Sequence, residues 1–167
     1  MSTRSNIAII LRPEDRNKTL NIMDNRFDNS RPNMRCPNCR TPKPNNLETV
    51  FPNCEPNGKA VLQIYCHHDG YPEGVGNALY YGYDSYEKAL ALILGGDVSV
   101  IDEKYTCPYS IGEGEDPNWN VPTVLDEPKL DEEYLYVFNY ETNEWYIQEW
   151  GSTEFKSVKE VLSLREI

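Results

Sequence analysis

Hydrophobic and polar positions follow three rhythms along this chain. Ser5–Leu11 (SNIAIIL) is a short apolar run rich in isoleucine and predicts a first strand. Ala60–His67 (AVLQIYCH) alternates, with Val61, Gln63, Tyr65 and His67 on one side, and predicts a second. Between them, residues 13–58 hold few aliphatic side chains and repeat Pro-Asn at 32–33, 37–38, 44–45, 52–53 and 56–57. Proline breaks the helical ladder and asparagine favours turns, so this stretch predicts a long irregular insert. A loop of that length inside a compact domain needs something to hold it.

The helical rhythm appears after the second strand. Asp69-Gly70-Tyr71-Pro72 is a turn signal, and Gly74–Tyr83 reads as a short helix loosened by three glycines. Asp84-Ser85-Tyr86-Glu87 has the spacing of a capping box. Tyr86, Ala89, Leu90, Ile93 and Leu94 then recur at helical intervals until Gly95-Gly96 ends the helix. Cys107–Lys129, rich in Gly, Pro, Asp and Glu, reads as an irregular loop. Tyr134–Tyr140 and Glu144–Trp150 alternate around Glu141-Thr142-Asn143 and predict a β-hairpin. Its Tyr134, Tyr136, Phe138 and Tyr140 share a face, and such a stripe is more often packing than a binding platform. Ser157-Val158-Lys159-Glu160 is a second capping box, opening a terminal helix with Val158, Val161 and Leu162 inward. The expected fold is α+β, one domain over residues 1–167: a small, mainly antiparallel sheet with two or three helices and the irregular insert at about 13–58. The hairpin is expected to join both early strands in one sheet, because a lone hairpin is marginal in water, with the Ser85–Leu94 helix on one face.

Composition narrows the function classes. The longest apolar run, Ala89–Leu94, is far short of the ~20 residues that cross a bilayer, so no membrane partner is expected. The start, Met1-Ser2-Thr3-Arg4-Ser5-Asn6, has no signal-peptide core, and a cytoplasmic protein is expected. Charge is divided unevenly. Residues 1–60 carry ten Lys/Arg against six Asp/Glu, whereas residues 61–167 carry six against twenty-one, a net of −15. That surface repels phosphates, so a nucleic-acid partner is not expected for the larger part of the chain. The acid excess suits either solubility or a surface that imitates nucleic acid or docks on a basic partner.

Five cysteines, Cys36, Cys39, Cys54, Cys66 and Cys107, are an odd number with no secretion signal, which argues against a disulfide framework. Cys36-Pro37-Asn38-Cys39 has the spacing by which two thiolates grip one zinc ion from a tight turn. Cys54 suits a third ligand, and Cys66, His67 or His68 a fourth, so a structural zinc is the expected cofactor of the insert. The alternative is a metal-free loop with free thiols.

The densest polar and aromatic cluster is Tyr65-Cys66-His67-His68-Asp69-Gly70-Tyr71-Pro72-Glu73-Gly74-Val75-Gly76. It holds both histidines, at a strand end, where rigid scaffolds present side chains. His67, Asp69 and Glu73 could bind a divalent metal or act as an acid–base set. The plainer reading is that His67 and Asp69 brace the turn. Cys66 with His67 is poorly disposed as a nucleophile and base, since adjacent strand residues face opposite ways.

The opening Met-Ser-Thr-Arg-Ser-Asn-Ile-Ala-Ile and the strand closing on Ile64-Tyr65-Cys66-His67-x-Asp69-Gly70-Tyr71-Pro72-Glu73-x-x-Gly76 resemble a group of small bacteriophage and prophage proteins. Leu94-Gly95-Gly96-Asp97-Val98-Ser99 is similar to the helix end that follows in that group, and the late aromatic hairpin completes the likeness. It covers residues 1–11 and about 60–150, and departs at the insert and at His68, where an aromatic residue is more usual. The resemblance implies a phage origin and carries no mechanism. It adds Asp97 and Ser99 to Tyr65, His67, Asp69, Gly70, Tyr71 and Glu73 as residues expected to bind a ligand or partner. The expected function is that of a phage accessory protein in the host cytoplasm. It would inhibit or sequester a host component such as a defence factor, and the expected partner is a host or phage protein with a basic surface, or a small signalling ligand. The alternatives are a metal-dependent hydrolase or nucleotide-processing enzyme using His67, Asp69 and Glu73, and a minor virion component.

Overall fold

The structure is a computed structural model and describes residues 3–16, 18–19, 60–104, 106–108 and 122–165. Strand β1 (Ser5–Ile10) lies inside the sheet, paired antiparallel with β2 (Val61–Cys66) and parallel with β6 (Tyr134–Asn139). Its isoleucines are β-branched and pack on a pleated surface, and a run without polar alternation suits a strand buried on both faces. Ile7, Ala8 and Ile9 are fully buried. The hairpin continues outward from β6 to β7 (Glu144–Glu149) and β8 (Lys156–Ser157), all antiparallel. Asn143 closes it in a left-handed conformation, and Asn139 Oδ1 accepts the Glu141 N–H at 2.8 Å.

On the other side, β2 shares its outer edge between two short strands. β5 (Thr123–Leu125) pairs antiparallel with Val61–Gln63, and β3 (Val98–Ile101) meets Cys66 in parallel. β4 (Thr106–Pro108) adds antiparallel to β3. The sheet of described residues thus runs β4-β3-β2-β1-β6-β7-β8, with β5 beside β2. It is mostly antiparallel, and with the helices of the described residues the fold is α+β, as expected. The expected insert falls almost wholly outside the described residues.

Three helices of the described residues cover one face. They are α1 (Asn77–Gly82), α2 (Tyr86–Leu94) and α3 (Val158–Arg165). Beneath them lie Ile7, Ile9, Leu62, Ile64, Tyr136 and Phe138. The aromatic stripe of the hairpin is packing: Tyr136 and Phe138 are fully buried, and Phe138 meets Trp145 edge-on at 5.3 Å. Trp145 donates its indole N–H to the Tyr83 carbonyl at 2.7 Å, fixing the end of α1 to the hairpin. Two expectations need correction. The cap of α2 is Ser85, whose hydroxyl accepts the Lys88 N–H at 3.2 Å, while Asp84 reaches the Lys88 ammonium instead. Residues 107–129 are not wholly irregular, because the vacant edges of β2 and β3 recruit β5 and β4 from them.

The second face carries a smaller cluster, Ala8, Val61, Leu135 and Val137, under Leu125 and Leu130. Two buried polar side chains hold the covering segment in place. Asn6 Oδ1 accepts the N–H groups of Asp131 and Glu132, both at 3.0 Å. The Gln63 amide donates to the Lys129 carbonyl at 2.8 Å and accepts its N–H at 3.0 Å. A strand amide that satisfies a crossing backbone is costly to delete, since the backbone groups it leaves remain buried. Gln63→Leu should therefore lower stability in urea unfolding by about 1–3 kcal/mol despite its apolar replacement.

Candidate functional site

The segment 65–76 leaves the end of β2 and turns back under the helices. At the strand end the His67 and His68 N–H groups donate to the Val98 and Ser99 carbonyls at 3.1 and 2.8 Å, so the backbone pairing with β3 outlasts β2 itself. Asp69 then takes a left-handed backbone conformation, φ 57°, which aspartate tolerates better than most residues. Its carbonyl accepts the Val75 N–H at 2.8 Å, closing the turn. Gly74 is required there: a Cβ on it would stand 2.2 Å from the Asp69 oxygen. Gly70 is pressed against the start of β1, where a Cβ would meet Arg4 and Ser5 at 2.9 Å. From Pro72 to Gly76 the chain makes one wide π-helical turn and runs directly into α1.

Tyr136 ties this turn to the hairpin. Its buried hydroxyl donates to the Gly70 carbonyl at 2.6 Å, and the Gly70 N–H donates to the Thr3 carbonyl at 2.9 Å. The Tyr65 hydroxyl and His67 Nδ1 share a hydrogen bond at 2.6 Å, and the His67 and His68 rings meet edge-on at 4.5 Å. What remains outward is a small acidic and aromatic knob. Asp69, Tyr71 and Glu73 are exposed, with the Tyr71 hydroxyl donating to Asp69 Oδ1 at 3.4 Å. The Asp69 carboxylate holds the Tyr71 phenol above its ordinary pKa.

Beside the turn, Asp97 Oδ1 accepts the Tyr65 N–H at 2.9 Å. Burial raises the Asp97 carboxyl from an ordinary 3.8 to about 6, opposed only in part by that hydrogen bond. Cys66 is fully buried, and its thiol points at the carbonyls of His68 (3.4 Å) and Ser99 (3.9 Å). Burial pushes that thiol up to about 11, so it stands in the core as a neutral group.

The structure therefore gathers Tyr65, Cys66, His67, Asp97 and Ser99 at the β2–β3 junction, and Asp69, Gly70, Tyr71 and Glu73 on the turn that follows. It does not bring His67, Asp69 and Glu73 into one metal-holding set. Among the described residues no three His, Cys, Asp or Glu side chains are so placed. Cys36, Cys39 and Cys54 lie outside the described residues. No helix among the described residues is long and apolar enough to cross a membrane. Comparison of the chain with protein-family models, curated proteins and solved structures finds no match.

Three residues of this site carried no sequence signal for it. Tyr136 reads only as one member of the hairpin stripe. Arg4 and Glu132 come to the same end of the sheet from distant segments. Burial raises the Glu132 carboxyl, and neighbouring Asp131 and Glu133 push it the same way, while Arg4 and His67 draw it down.

The Asp97 shift sets a testable pH dependence. A carboxyl whose folded pKa lies above its unfolded value binds its proton more tightly in the folded chain. Its contribution to stability is therefore present at about pH 4 and is lost as pH rises through about 6. Asp97→Asn keeps an acceptor for Tyr65 and removes the buried charge. The variant should be more stable than the parent by about 1–3 kcal/mol at neutral pH, with the gap closing near pH 4 in parallel urea titrations.

Proposed function

We propose that this protein acts by binding, docking the acidic end of its sheet onto a basic surface of a partner protein. The observation that carries this reading is a turn braced from within that holds Asp69, Tyr71 and Glu73 outward. A rigid frame with exposed charged and aromatic side chains loses little entropy on association. The same end of the sheet collects more acid. Cys66, Ser5, Tyr134 and Glu149 stand in one row across β2, β1, β6 and β7, and Asp131, Glu132 and Glu133 immediately precede that row. The net of −15 over residues 61–167 gives the long-range field that speeds encounter with a basic partner. The polar groups that a reaction would need are spent on the fold: His67 on Tyr65, Asp97 on the Tyr65 backbone, and Cys66 as a buried thiol.

The phage-like start and turn motif supply the setting. In this reading the protein works in the host cytoplasm during infection, where it inhibits or sequesters a host component such as a defence factor. Association with the partner should weaken at least about tenfold between low and high salt, because facing surface charges are screened beyond a Debye length. Asp69→Lys with Glu73→Lys should weaken it further at low salt, measured by calorimetric titration. Salt-independent binding, or a turnover abolished by His67→Ala and Asp69→Ala together, would replace this reading with the enzymatic one.

For the insert, the Cys36/Cys39 spacing with Cys54 supports a structural zinc held by thiolates. Elemental analysis of protein purified without added metal should then find about one zinc per chain, and chelation should release it. A metal-free preparation with unchanged stability would exclude that role.

A further inference from the structure

We propose that the trough between β7, the chain that follows it and α3 receives a short basic segment of the partner, seating one or two aliphatic side chains between flanking lysines or arginines. This rests on the reading of the protein as a binder of a basic surface, and it names where the partner's apolar anchor goes. The trough has a volume of about 260 Å³. Its floor is apolar: Ile147 of β7 and Val161 of α3, with Leu164 at the lip. Leu164 is 67% exposed, an aliphatic side chain left standing in solvent beside an apolar floor. Carboxylates from three separate segments rim that floor, Glu149 from β7, Glu154 from the connection and Glu160 from α3, with Lys156 the one ammonium among the described lining residues.

This combination selects among occupants. Its carboxylate rim repels phosphates and other anionic ligands. A second copy of this chain would bring a net charge of −11 to an acidic rim. A basic segment with aliphatic anchors satisfies both features, since apolar burial supplies affinity at the floor and opposite charge supplies orientation at the rim. Position agrees as well. Glu149 lies in the same cross-strand row as Cys66, so the trough and the 69–73 knob open at one end of the sheet, and α3 packs against the π-turn between them.

The test uses a fluorescently labelled peptide of alternating lysine and leucine, with two comparators, one having glycine for every leucine and one having glutamate for every lysine. In anisotropy titrations at about 0.1 M salt, the lysine–leucine peptide should bind and both comparators at least about tenfold more weakly. Glu154→Lys with Glu160→Lys should weaken the lysine–leucine peptide by about tenfold, and Leu164→Ser by about threefold. Glu127→Lys with Glu141→Lys makes the same change in net charge at exposed positions outside the trough, and should cost less than about twofold. Equal losses from both charge-reversal pairs, equal binding by the glycine peptide, or no binding at all would overturn the assignment. Sedimentation showing a dimer of the free protein that Leu164→Ser disperses would give the trough to a second copy and overturn it too. Salt-sensitive binding of the partner protein that is indifferent to the Glu154/Glu160 pair would remove the trough and leave the acidic-end reading standing. Loss of the salt sensitivity itself would remove the wider reading.

Discussion

The described elements take their places from β1, which is paired along both edges and buried on both faces. A strand in that position has no freedom of register, because a slip of one residue would send Ile7 and Ile9 from the helical side to the Ala8 side. Its antiparallel partner sets where β2 ends, and its parallel partner sets where the hairpin begins. The row Cys66–Ser5–Tyr134–Glu149 is the consequence. The acidic end of the sheet is thus assembled by backbone pairing between segments that lie far apart in the chain.

The same constraint explains why the 65–76 turn is so heavily braced. Leaving β2 at the row's edge, the chain must clear β1 with no room for a side chain at position 70, and must close on Asp69 with none at position 74. Tyr136 then uses the one polar atom of an otherwise buried ring to hold the Gly70 carbonyl, which a turn packed under helices could not leave unpaired. Histidine and aspartate in this setting serve first as structural groups. Asp69, Tyr71 and Glu73 are left exposed on that braced backbone.

Much of the fold was legible because its principal elements are long enough to show a period. The alternation of β2 and of the hairpin, the apolar run of β1 and the stripe of α2 all correspond to the observed elements. The strands that escaped notice, Val98–Ile101, Thr106–Pro108, Thr123–Leu125 and Lys156–Ser157, are two to four residues long. No alternation can be read in such lengths, and they are strands only because a neighbouring edge offers them partners. The parallel pairing of β1 with β6 was equally hidden, since it joins residues near 5 to residues near 134. In the candidate site, the density of polar residues at 65–73 was plain. Their commitments to Asp97, Ser99 and Tyr136 depend on contacts across tens of residues, and local pattern holds no trace of those.

The 65–76 turn is a fixed structural joint, and native-state hydrogen exchange measures how firmly it is held. The His68, Gly70 and Val75 amides are bonded to Ser99, Thr3 and Asp69. They should exchange only as slowly as the amides of β1 and β2, with the same dependence on denaturant, because opening the turn requires unfolding the sheet it closes. Exchange of those three amides through a local opening, far faster than β1 and insensitive to denaturant, would instead show a loop free to rearrange around a substrate.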